Sequence, residues 1–147
     1  MTNHNTTYRS QKLRSLEEVK AFFTQDIYAT CTTGIEIVEA RPGYAKVRLQ
    51  VDERHMNAAN RVMGAVYYTM ADFAFAVANN YDMESSVTVT LSSQINYLSA
   101  AKGKVLTAEA RVVKEGGKTT FYSIEVTDEL NTRIAVISSN GYRIDVG

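Results

Sequence analysis

The chain contains one cysteine, one proline and no tryptophan. A lone Cys31 excludes an internal disulfide and any zinc site built on paired cysteines, and it suits a reducing cytoplasm. Neither sign of charge prevails, since 16 Lys and Arg stand against 16 Asp and Glu. No field therefore points to nucleic acid or an anionic membrane surface as the partner. No apolar run approaches the roughly 20 residues of a membrane span, and the opening MTNHNTTYRSQKLRS lacks the apolar stretch of a signal peptide. A Gly-rich phosphate cradle and a metal-ligand set are also missing, so no metal or cofactor is expected. The expectation left standing is a soluble, cytoplasmic protein whose ligand is a small molecule or another protein.

At 147 residues one domain is expected, burying roughly two-thirds of the surface of its unfolded chain. Residues 1–14 are polar and aperiodic and read as a tail; residues 15–147 read as the domain. Ser15 with Glu18 three positions on is a capping box that starts a helix, and Leu16, Val19, Phe23 and Ile27 then form one apolar stripe. From residue 35 the period changes to two: IEIVEA and YAKVRLQV predict antiparallel strands around the sole proline. DERHMNAANRVM is an unpatterned loop, longer than a simple connection needs. The run from 64 to 80, GAVYYTMADFAFAVANN, is an Ala-rich helix that Asn79 and Asn80 end. Four β-rich stretches follow, parted by turn signals at Gly116-Gly117 and around DELN. The pattern is α+β: a curved antiparallel sheet of about six strands wrapped around one long, almost uncharged helix.

Asp72 breaks the apolar character of that helix. Tyr68, Thr69, Asp72 and Asn79 share helical spacing, so they could form no more than its wet side. A wet side, however, usually carries several charges, and a lone carboxylate among aromatic and small residues suggests a partly buried site. Desolvation would raise its pKa toward the range of a working general base. Gly64, at the helix start, offers a second group. Its N–H has no acceptor within the helix and lies at the positive end of the dipole, where an oxygen gaining negative charge is stabilised. Eight residues at about 1.5 Å each separate the two by about 12 Å along the axis, too far for one carbonyl to meet both. If they act together, Asp72 comes from a second copy, which makes a two-fold dimer the expected unit.

Asn57, Gly64 and Asp72 together satisfy N-x₆-G-x₇-D within HMNAANRVMGAVYYTMADFAFAVANN. With TLSSQINYLSAAKG further on, this resembles the hotdog-fold acyl-CoA thioesterases, in the group of the phenylacetate-pathway thioesterase, over residues 35 to 144. The resemblance implies the hotdog fold, an acyl-CoA substrate and hydrolysis without a cofactor. It implies that the Gly64 N–H polarises the thioester carbonyl, that Asp72 is nucleophile or base, that Thr90 orients water or the carboxylate, and that Asn57 positions the reacting groups. It also suggests a dimer of dimers. Met63 stands where the family carries His, and Ala65 where it carries a second glycine; both would border the substrate. Arg61, Lys102 and Lys118 are candidates for the phosphates of coenzyme A by position alone. Two alternatives stay open: an acyl-CoA or acyl-carrier binding protein without turnover, and a dehydratase using His55. A loop histidine is expected on the surface, and Cys31 is expected to pack as a small hydrophobe.

Overall fold

A computed structural model describes residues 14–80 and 86–146. Apart from Arg14, the expected tail lies outside these residues. Helix α1 (Leu16–Phe23) opens on Ser15, whose hydroxyl accepts from the Glu18 N–H while the Glu18 carboxylate accepts from the Ser15 N–H. The strands are β1 (Glu36–Arg41), β2 (Tyr44–Gln50), β3 (Ser86–Tyr97), β4 (Val105–Glu115), β5 (Thr119–Asp128) and β6 (Arg133–Asp145), and α2 (Gly64–Asn79) lies between β2 and β3. They form one antiparallel sheet in the order β1-β2-β4-β5-β6-β3. The expected α+β arrangement is therefore present, with β1 and β3 as the two edges.

The core lies between α2 and the inner sheet face. Met70, Ala74 and Val77 of α2 are fully buried, as are Val47, Ala108, Ala110, Ile124 and Val126 opposite them. Small residues on both sides let helix and sheet approach closely, and Phe75 meets Tyr122 edge to face at 5.2 Å. Each large side chain removed from water here contributes about 1.5–3 kcal/mol. Gly141 of β6 belongs to the same fit, because a Cβ there would lie 2.7 Å from Thr88 Cγ2 and 3.1 Å from the Phe75 ring. No helix among the described residues is long and apolar enough to cross a membrane.

Four local expectations are corrected. The apolar stripe ends with α1 at Phe23, and Ile27 is 60% exposed. After Phe23 the chain tightens, with the Gln25 and Asp26 N–H groups donating to the Phe22 and Phe23 carbonyls. It then widens into a π-helical turn, Tyr28–Thr33, closed by Gly34 at φ +88°. This change of helical period turns Cys31 outward, so it is exposed rather than packed. His55, expected at the surface, is buried. Its Nδ1 accepts from the Asp52 N–H at 2.9 Å, so Nε2 carries the hydrogen and donates to the Thr33 carbonyl at 2.7 Å. The imidazole thus staples the 52–63 loop to the π-turn. Asn79, finally, does not share the Asp72 face. Its amide reaches β5, where its oxygen accepts from the Thr120 hydroxyl at 2.9 Å.

Candidate active site

Asp72 lies on the side of α2 away from the central strands, in a cleft of about 430 Å³ lined by Gln25, Asp26, Ile27, Tyr28, Ala29, Thr69, Phe73 and Ala76. Asp72, expected to be partly buried, is exposed in the single protomer. Burial still pushes its carboxyl above the ordinary range; the nearby Asp26 charge adds to the rise, and a hydrogen bond from the Thr90 side chain opposes it. Thr90 thus lies near enough to Asp72 to ease its ionisation. The cleft also adds a residue the sequence reading passed over, Asp26, whose own carboxyl is raised by burial. Nothing in the sequence marked it: Asp26 opens the helical turn that follows α1, its carbonyl accepting from the Thr30 N–H at 2.9 Å, and an acid suits such a start.

The other end of the site is the entrance to α2. Met63 is its N-cap in extended conformation and offers no side-chain cap. The Val66 N–H returns to the Met63 carbonyl at 2.9 Å, whereas the N–H groups of Gly64 and Ala65 precede the helical hydrogen-bond ladder. Met63 is 53% exposed and flanks these donors. Gly64 also has a packing reason to be glycine, because a Cβ there would lie 3.1–3.4 Å from the Tyr97 ring. The Tyr97 hydroxyl donates to the Gly64 carbonyl at 3.4 Å, and its ring lies 6.5 Å from that of Tyr67.

A single strand serves both ends. β3 shifts register against β6 between Thr90 and Ser92. Ahead of this bulge Thr88 is buried and Thr90 reaches Asp72; beyond it Ser93 and Ile95 are half-buried and Tyr97 reaches Gly64. Strict alternation would put 88 and 90 on the opposite face from 93, 95 and 97. One extra residue re-aims the second half of the strand, as β-bulges do.

The remaining expected residues are spread around this frame. Asn57 is exposed, and its side-chain oxygen accepts from the Ala59 and Arg61 N–H groups at 3.0 and 3.1 Å, forming the turn that leads to α2. Arg61 is exposed in that turn. Lys102 is exposed in the turn after β3, whose Ala101 N–H donates to the Tyr67 hydroxyl near the α2 entrance. Lys118, 5.9 Å from the Tyr142 ring, lies just before β5, two residues before Thr120, beside the far end of α2. Among the described residues no group of three or more His, Cys, Asp or Glu is placed to hold a metal ion. Because α2 is unbroken from 64 to 79, Gly64 and Asp72 stand about 12 Å apart along its axis, so one protomer cannot bring both to one carbonyl.

A long helix laid across a six-stranded antiparallel sheet, with an acid in mid-helix and free N–H groups at its start, defines a hotdog-fold architecture. The solved structure of the Escherichia coli PaaI protein from the phenylacetic acid degradation operon has this fold. It aligns with a TM-score of 0.74 at 25% identity, over 88% of this chain and 96% of that one. In sequence, a putative esterase of Archaeoglobus fulgidus is 34% identical over 137 residues, which are 92% of this chain and 88% of that protein. The E. coli acyl-coenzyme A thioesterase PaaI is 27% identical, over 89% of this chain and 92% of its own length. Residues 59–135 match the thioesterase superfamily model. The chain belongs to the thioesterase superfamily, and it is an enzyme of the thioester-hydrolase class.

Proposed function

We propose that the protein hydrolyses an acyl-CoA thioester to the free acid and coenzyme A. Asp72 carries this reading: a carboxyl raised by burial, touched by the Thr90 side chain and facing a cleft. Asp72 would take a proton from water as that water attacks the thioester carbonyl, or would itself attack; Thr90 orients the water or the carboxylate. The Gly64 N–H, from the other copy of the chain, receives the negative charge that develops on the carbonyl oxygen. Asn57 shapes the loop that aims this N–H. Met63 and Ala65 border the thioester, and Arg61, Lys102 and Lys118 are the cations offered to the phosphates of coenzyme A. The superfamily membership and the acyl-CoA thioesterase relatives support the substrate class.

The exposed edge strand β3 supports the dimer. It is 12 residues long, with Leu91 57% and Val89 39% exposed, and the unpaired backbone of an edge is a template for another strand. Two copies joined along β3 with antiparallel helices would set each Gly64 against the partner's Asp72. The outer sheet face, where Val113 and Phe121 are exposed, is the surface on which two dimers would meet. An exposed Cys31 fits the reducing cytoplasm in which we place the enzyme.

The test is release of free thiol from a panel of acyl-CoA esters by the native protein and by Asp72→Asn, with the oligomer sized in parallel. Turnover that disappears in the variant is expected, together with a dimer or tetramer. A lone protomer that still turns over thioesters overturns the cross-chain site. Met63 motivates a second reading, a binding protein without turnover, because it places an apolar side chain where the resembling family carries His. Tight acyl-CoA binding with no thiol release by the native protein would favour it.

A further inference from the structure

The cleft beside Asp72 has a volume of about 430 Å³. Small-molecule pockets run from roughly 300 to 1,000 Å³, so it has room for an acyl group but not for coenzyme A as well. Its floor is small or apolar: Ala29 and Phe73 are buried and Ala76 is half-buried. Its rim carries Ile27 and Tyr28, 60% and 66% exposed. Single exposed apolar residues need no explanation, but these two are consecutive and border one cleft. A continued α-helix would lay Ile27 on the same face as Phe23, four residues before it. Instead the chain tightens after Phe23 and widens into the Tyr28–Thr33 π-turn, which sets both side chains at the cleft. The turn is held from its other side. Arg54 donates to the Cys31 and Thr32 carbonyls at 3.2 and 3.1 Å, His55 donates to the Thr33 carbonyl at 2.7 Å, and the Gly34 and Ile35 N–H groups both donate to the Ala29 carbonyl. Such π-turns are found often at functional sites. Two large side chains are thus withheld from the core and fixed in place next to the candidate active-site acid.

We propose that Ile27 and Tyr28 determine substrate specificity: they form the wall against which the acyl group of the thioester lies, and the group they select is apolar and uncharged. This rests on the role given to Asp72 above. With the thioester carbonyl at that carboxyl, the acyl chain beyond it enters the cleft and covers the exposed faces of both residues, which rewards apolar length. Charge sets the second limit. Asp26 and Asp72 both line the cleft and none of its lining residues is a cation. An acyl group ending in its own carboxylate would leave water for a space that offers like charge and no partner.

The experiment measures kcat and KM of native protein, Ile27→Ala, Tyr28→Ala and Tyr28→Phe for acetyl-, hexanoyl-, octanoyl- and adipoyl-CoA. Both side chains are exposed, so the variants should fold. Tyr28→Ala and Ile27→Ala are each expected to lower kcat/KM for octanoyl-CoA about tenfold, chiefly through KM, and for acetyl-CoA less than about twofold. Tyr28→Phe, which keeps the ring, should match native protein. Adipoyl-CoA, the hexanoyl ester with a terminal carboxylate, should be cleaved about a hundredfold less efficiently than hexanoyl-CoA by native protein. A dependence on chain length that is the same in native protein and both alanine variants overturns the wall, and equal cleavage of the adipoyl and hexanoyl esters overturns the charge limit; either result leaves hydrolysis intact. If native protein releases thiol from none of the esters, the hydrolase reading fails and calorimetric binding of octyl-CoA, a thioether that cannot be hydrolysed, decides the wall. Affinity about tenfold weaker in Tyr28→Ala than in native protein then supports it, and equal affinity overturns it.

Discussion

Two aspartates in this chain have opposite surroundings. Asp128, at the end of β5, accepts from four backbone N–H groups: Lys102 and Gly103 on one oxygen at 2.9 and 2.8 Å, Leu130 and Thr132 on the other at 3.0 and 2.9 Å. Burial works to raise its carboxyl, but these N–H groups outweigh it and hold it below the ordinary carboxylate range. Asp72 is raised by burial and by a neighbouring acid, with the Thr90 side chain in opposition. One carboxylate is saturated with donors and ties two turns together. The other has capacity to spare and stands in a cleft. The difference separates an acid that holds the fold from one placed to do chemistry.

The strongest way to break this contrast is Asp72→Asn, expected to lower thiol release by about 10²- to 10⁴-fold. Because the folded carboxyl is raised, its ionisation works against folding. The variant should therefore melt higher than native protein at neutral pH, with the gap closing as pH falls below the ordinary carboxylate range. Equal or lower melting temperatures at neutral pH would remove Asp72 from the strained class. Asp128→Asn is the mirror test, expected to lower stability by about 2–4 kcal/mol in denaturant melts. A depressed carboxyl stabilises the fold above its unfolded range and stops doing so as pH falls, so this deficit should shrink in acid. The pH at which the hydrolysis rate half-rises should not move.

Gly64→Ala has a smaller expected effect, about tenfold on kcat/KM, because the N–H survives and only the Tyr97 ring must shift a few tenths of an ångström. The double variant with Tyr97→Ala tests whether that contact is the cause: activity that recovers assigns the loss to crowding, and activity that stays low assigns it to ligand approach. Smallest is Tyr97→Phe, which removes one 3.4 Å hydrogen bond to the Gly64 carbonyl and should cost about 0.5–1.5 kcal/mol of stability at most, read by thermal melting.

Helix α2 was legible from composition alone, since a 16-residue segment made mostly of Ala, Val, Phe, Met and Tyr must be covered on most sides. The capping box at Ser15 and Glu18 was equally legible, because both partners lie within one turn of chain. The end of α1 was not. The stripe through Leu16, Val19, Phe23 and Ile27 is the same whether the helix continues or opens into a π-turn, and the choice depends on Arg54, more than 20 residues on, whose guanidinium meets the Cys31 and Thr32 carbonyls. His55 was misplaced for the same reason: its partner Thr33 lies far away in sequence.

By itself the sequence determined which segments are helix or strand, that one acid interrupts an apolar helix, and that the glycine at the helix start stands a fixed rise from it. These follow from periodicity and residue type, which act over a few residues. The tertiary structure decided that Thr90 and Tyr97 both face α2 across a bulge, that Asp26 shares a cleft with Asp72, and that Asp128 is saturated with donors. Each depends on which distant atoms pack nearby, because burial and charge act through space and not along the chain.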